Sequence, residues 1–125
     1  MAMSTLLVPF SNLLLEREIV MEKYAWKGKI VEGKREEYVK RHKEIWPEMV
    51  ELLKKAGIKN YSIWNCGEEL FGYNECENGI VFAAKTQRES ELVERWNEYM
   101  KDILLLEIDP VTGAQFALTQ VFDLP

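Results

Sequence analysis

Histidine occurs once in this chain, at position 42, and cysteine twice, at positions 66 and 76. With no H-x-x-H or C-x-x-C spacing, these residues do not assemble the ligand set of a structural or catalytic zinc site. Two cysteines are also too few for a disulfide scaffold. A tight hairpin about Gly67-Glu68 would leave Cys66 beside the turn and Cys76 far along the opposite strand, so both read as free thiols of a reducing, cytoplasmic compartment. Basic charge is scarce: 16 Lys and Arg against 21 Asp and Glu give a net charge of -5. That balance argues against nucleic acid and anionic membranes as partners, because phosphate neutralisation needs clustered Lys and Arg. No long uninterrupted apolar run is present either. The opening "MAMSTLLVPFSNLLLEREIV" lacks a basic leading region, is broken by Pro9 and Asn12, and ends in Glu16, Arg17 and Glu18. It fits neither a signal peptide nor a membrane span. Residues 1–20 are expected to be an extension outside a single core domain of residues 21–125, a length sufficient for one hydrophobic core.

Hydrophobic periodicity divides that domain. "KYAWKGKIV" alternates Tyr24, Trp26 and Ile30 with lysines and predicts a half-buried strand ended by "EGK". From Lys34 the period lengthens: Tyr38, His42, Ile45, Met49, Leu53 and Ala56 share one helical face. Pro47 cannot continue that helix but suits the first position of a new one, with Gly57 as its stop, so a break is expected near Ile45-Trp46. "NYSIWN" and "LFGYNEC" predict a hairpin around "CGEE". Asn78 is positioned to cap a helical stretch in which Phe82, Val93, Trp96 and Met100 face the core. "DILLLEIDPVTGAQ" reads as a connection with turns at Asp109-Pro110 and Thr112-Gly113, and "FALTQVFDL" as the last strand. The order is βαββαβ, an α+β ferredoxin-like pattern: an antiparallel four-stranded sheet with helices on one face.

A single histidine on an apolar helix face is ordinarily structural, and so is each aromatic taken alone. Their arrangement points elsewhere. Tyr38 and His42 are neighbours at i, i+4, and their helix covers the sheet that carries Tyr61. A cavity walled by aromatics with a few polar tips suits a sugar, whose C–H patches meet the rings while its hydroxyls meet Tyr, His and carboxamide groups. Near the C-terminal end of its helix, His42 is expected to be favoured in the protonated form by the helix dipole.

"EEYVKRHKEIWPEMVELLKKAGIKNYSIW", "LFGY", "RWNEYM" and the closing "VFDLP" together resemble the L-rhamnose mutarotase family, from about Met21 to Pro125. The combination R-H-x-x-I-W-P-E followed by G-x-x-N-Y-S-I is far more specific than any one short motif. The resemblance implies a homodimeric α+β barrel that interconverts the α and β anomers of L-rhamnose without metal or organic cofactor. It implies His42 as the proton donor in ring opening, with Tyr38 and Tyr61 binding the sugar. The family's Trp-Trp pair falls on Trp96 and Asn97, so one aromatic wall is exchanged for a carboxamide. Gln120 stands where the family often has Glu, and residues 1–20 have no counterpart. Mutarotation asks for a group that titrates near neutrality and works in both directions, which imidazole does. Two rivals are a cofactor-independent monooxygenase of the same barrel architecture and a non-catalytic dimeric sugar-binding module.

Overall fold

A computed structural model describes residues 20–125 except 112 and 114; the expected extension, residues 1–20, lies outside the described residues but for Val20. The elements run β1 (Glu22–Ile30), α1 (Arg35–Lys43), α2 (Pro47–Lys55), β2 (Ile58–Cys66), β3 (Glu69–Cys76), α3 (Ile80–Arg88), α4 (Glu91–Met100) and β4 (Leu104–Leu105). The strands form one antiparallel sheet in the order β2-β3-β1-β4. This is the βαββαβ order expected, with each helical stretch broken in two.

Both breaks have local causes. Trp46 is extended at ψ 132°, and Pro47, which needs no backbone hydrogen-bond acceptor, opens α2. Between α3 and α4, Ser90 is extended and its Oγ accepts from the Val93 N–H at 3.3 Å, a serine N-cap. The first residue of α3 differs from expectation. The cap position is Gly79 at φ 91°, not Asn78, and the Glu22 carboxylate of β1 accepts from the Ile80 N–H at 2.8 Å. An acidic side chain from another element thus supplies what Asn78 was expected to supply, and it complements the positive end of the helix. Phe82 also departs: it is exposed, while Ala83 and Ala84 face the core. Small side chains let α3 approach the sheet closely.

Along β1, Tyr24, Trp26 and Ile30 are buried and join Leu70 of β3 under Tyr38, Met49, Trp96 and Met100 from the helices. Gly72 stands opposite Trp26. A Cβ there would lie 2.1 Å from the indole, so the absent side chain makes room for the ring. The opposite sheet face carries Lys27, Lys29, Phe71 and Trp64, the last 68% exposed.

In β2, strict alternation from the buried Ile58 would turn Tyr61 to that opposite face. A register shift between Lys59 and Ser62, with Asn60 at φ 49°, inserts one residue into the strand. The bulge re-aims Tyr61 to the helix-covered face, where its hydroxyl accepts from Trp26 Nε1 at 3.2 Å.

The last strand is where the sequence reading fails. Leu104–Leu105, inside the segment read as a connection, pairs with Ile30 and Lys29. "FALTQVFDL" contributes only a bridge from Ala117 to Trp26, with Leu118 N–H donating to the Ala25 carbonyl at 2.7 Å. Leu104 and Leu105 lie four and five residues beyond the end of α4 and so fall at one end of the β1 edge. A turn held by Asp109, whose carbonyl accepts from Gly113 N–H at 2.8 Å, brings the chain back to the same edge farther along. Beyond it Val121, Phe122 and Leu124 are exposed, because the strand-like alternation there has no second layer to bury against.

Candidate active site

The site is assembled from α1, α2, α4 and the sheet. Four residues apart on α1, Tyr38 and His42 stack with ring centroids 4.3 Å apart. The His42 Nδ1 lies 3.2 Å from the Tyr38 carbonyl. A carbonyl can only accept, so this contact places the proton of a neutral imidazole on Nδ1 and the lone pair on Nε2. From α4, Trp96 meets the imidazole edge-on at 5.7 Å. Trp96 in turn packs edge-on against Trp46 at 5.0 Å, and Trp46 stacks on Tyr99. Arg41 ties the two helices together. Its guanidinium donates to Glu37, to Asp102 and to the Tyr99 carbonyl, and lies 4.4 Å over the Tyr99 ring.

Burial sorts the proton carriers. The His42 pKa lies below its ordinary value because the imidazole is desolvated, a loss that the Tyr38 carbonyl only partly offsets. The protonated form expected from the helix dipole is not favoured: removal of water from the charged ring outweighs the helix end. Desolvation pushes Tyr61 up to about 12, against the hydrogen bond from Trp26. Tyr38 is raised further, first by burial and then by the nearness of Tyr61. At neutral pH the imidazole is therefore a base and both phenols are donors.

Beside this cluster lies a cavity of about 570 Å³ between α3, α4 and the sheet, within the range of small-molecule sites. Tyr61 and Asn97 line it; Tyr38, His42 and Trp96 do not. The five residues expected at the site thus fall into two groups, the ring cluster of Tyr38, His42 and Trp96 and the cavity pair of Tyr61 and Asn97. Tyr61 joins them: it lines the cavity, its hydroxyl accepts from the buried Trp26, and its nearness helps raise the Tyr38 pKa. Sequence reasoning gave no role to Trp26, Trp46 or Asn74. The W-P step that opens α2 could have marked Trp46, whereas the Trp26 contact depends on the β2 bulge. Among the described residues, no group of three or more His, Cys, Asp or Glu side chains converges on a point where a metal could sit.

Comparison with known proteins identifies the family. Residues 23–124 match the family model of L-rhamnose mutarotase. An L-rhamnose mutarotase of Jannaschia sp. (strain CCS1) is 38% identical over 114 residues, covering 84% of this chain and 100% of its own. One from Clostridium beijerinckii is 39% identical over 103 residues, covering 80% and 95%. The crystal structure of the L-rhamnose mutarotase of Formosa agariphila superposes with a TM-score of 0.66 at 28% identity, covering 83% of this chain and 99% of that one. On the match to the family model over residues 23–124, the identity to these relatives and the shared fold, the chain belongs to the L-rhamnose mutarotase family.

Proposed function

We propose that this protein interconverts the α and β anomers of L-rhamnose, with His42 as the catalytic proton carrier and Tyr38, Tyr61, Trp96 and Asn97 as the sugar-binding residues. The observation that carries the reading is the pinned, neutral imidazole beside two phenols that keep their protons. Groups whose environments separate their pKa values divide naturally into base and acid. In ring opening the neutral His42 acts first as base rather than in the donor role the resemblance implies, and its Nε2 takes the proton of the anomeric hydroxyl. The C1–O5 bond breaks as O5 receives a proton from a phenol or from water relayed by one, leaving the open aldehyde. Rotation about C1–C2 presents the other carbonyl face, and closure returns both protons. In the opposite sense the imidazolium is the donor, and its lowered pKa makes it a ready one. Nothing is oxidised and no covalent intermediate forms.

The sugar would lie in the cavity against Tyr61, with its reacting end toward the Tyr38–His42 pair. Residues 21–125 would act as the catalytic domain, with residues 1–20 outside it. The working form would be a homodimer. The sheet face opposite the helices exposes Trp64 and Phe71 side by side, and the C-terminal segment exposes Val121, Phe122 and Leu124. Apolar surface of this kind calls for a partner. Two free thiols, Cys66 and Cys76, suit the cytoplasm, and no helix among the described residues is long and apolar enough to cross a membrane. The monooxygenase and the non-catalytic binding module are not favoured by the mutarotase relatives. Exchange NMR decides the matter: cross-peaks between the two anomeric protons of L-rhamnose should grow with enzyme concentration. Exchange no faster than buffer alone would refute the reading.

A further inference from the structure

The cavity has a polar group that takes no part in the proton transfers of ring opening. Asn74 of β3 is 3% exposed and is the one polar side chain in the buried core among the described residues, yet it lines the cavity with Tyr61 and Asn97. It stands opposite Tyr24 in the sheet register, on the face that the helices cover. Its Oδ1 accepts from the Cys76 thiol at 3.2 Å. Burial raises the Cys76 pKa, so that thiol keeps the proton it donates. The other end of the carboxamide is uncommitted: Nδ2 has no acceptor among the described residues. Nor is it sealed in, since no buried side-chain nitrogen or oxygen among those residues lacks a partner. The N–H donors therefore open onto the cavity.

An apolar residue would pack this strand position without the cost of desolvating an amide. The placement makes sense if a ligand supplies the acceptor. A neutral amide donor suits a hydroxyl oxygen, and the neighbouring Tyr61 and Asn97 side chains offer further neutral donors and acceptors to the same kind of ligand. We infer that Asn74 is a specificity-determining residue that donates from Nδ2 to one hydroxyl of the bound pyranose. The site then favours aldopyranoses that carry this hydroxyl over the corresponding deoxy sugars. Cys76 is the positioning residue, holding Oδ1 so that the donors face the cavity. The inference rests on the anomer-exchange reading and adds to it a residue that selects the sugar.

The test measures anomer exchange by NMR for L-rhamnose and for its 2-deoxy, 3-deoxy and 4-deoxy analogues, in the wild type and in Asn74→Leu, a change of shape-similar apolar for polar. Loss of one hydrogen bond to a neutral group should raise KM for L-rhamnose about tenfold. The turnover number should stay within about threefold, as for a contact made equally in the ground and transition states. For one of the three deoxy sugars, the wild type and the variant should have the same KM, which identifies the hydroxyl that Asn74 meets. A folded variant with unchanged KM for L-rhamnose overturns the inference, and so does an equal penalty on all four sugars, which would signal a distorted cavity. Should Asn74→Leu lose its circular dichroism spectrum, Asn74→Ala is judged by the same comparison across the four sugars. A wild type that exchanges no anomers sinks the underlying reading and the inference with it, whereas an active wild type with an indifferent variant sinks the inference alone.

Discussion

Replacing His42 by alanine should separate activity from stability. The ring is only half-buried, and what the fold loses is its stacking on Tyr38 and its edge contact with Trp96. Aromatic pairs of this kind contribute about 0.5–1.5 kcal/mol. The two contacts together amount to about 1–3 kcal/mol, and alanine recovers roughly 0.5 kcal/mol of helix propensity within α1, so the net cost is about 0.5–2.5 kcal/mol and the melting temperature should fall by several degrees while the protein stays folded. Activity should fall much further. A positioned general acid–base contributes about 10²–10⁴-fold, and no other side chain near Tyr38 titrates in its place, since both phenols are raised. The pH profile adds a second readout. The His42 pKa lies below its ordinary 6.5, so the neutral base is already present at neutral pH. Exchange should be flat there and decline only as pH falls below 6.5, with no alkaline limb from Tyr61 until the pH approaches about 12. The stability sign follows from the same direction: the unfolded chain binds the His42 proton first, so stability is full above 6.5 and declines as pH drops toward the folded pKa. Exchange rates read by NMR, with circular dichroism melts alongside, test both halves. A folded His42→Ala protein that exchanges anomers at the wild-type rate would refute the mechanism.

Three further outcomes are expected. Gly72→Ala puts a Cβ 2.1 Å from the Trp26 indole; overpacking should cost about 1–3 kcal/mol and disturb the Trp26–Tyr61 bond, seen as a lower denaturation midpoint, and an unchanged midpoint would show that the indole moves freely. Sedimentation at micromolar concentration should show a dimer, and Trp64→Glu combined with Phe71→Glu should shift it to monomer; a wild-type monomer would remove the exposed sheet face as an interface. Asn97→Trp should sharpen preference for L-rhamnose over L-mannose and L-lyxose by about 1–3 kcal/mol, the worth of one apolar contact of methyl size, whereas unchanged rate ratios would place Asn97 outside the sugar's reach.

Local patterning was enough to determine much of this protein. The helix-to-helix break at Trp46-Pro47 follows from proline geometry, the i, i+4 pairing of Tyr38 with His42 from helical periodicity, and the β2–β3 hairpin from alternation around Gly67. The motif around His42 pointed to the family. What the sequence could not decide were features set by competition between distant parts of the chain. Leu104–Leu105 and residues 116–124 both carry strand-like apolar residues, and only the tertiary structure shows that the first pairs with Lys29 and Ile30 as β4 while the second adds a single bridge at Trp26. Asn78 is a good cap by type, but Glu22 from another strand took that role for α3. Strict alternation would place Tyr61 on the wrong face, and the bulge at Asn60 corrects it. The charge state of His42 was decided in the same way: a helix end is visible in the sequence, but the desolvation that outweighs it exists only once Tyr38 and Trp96 have closed around the ring.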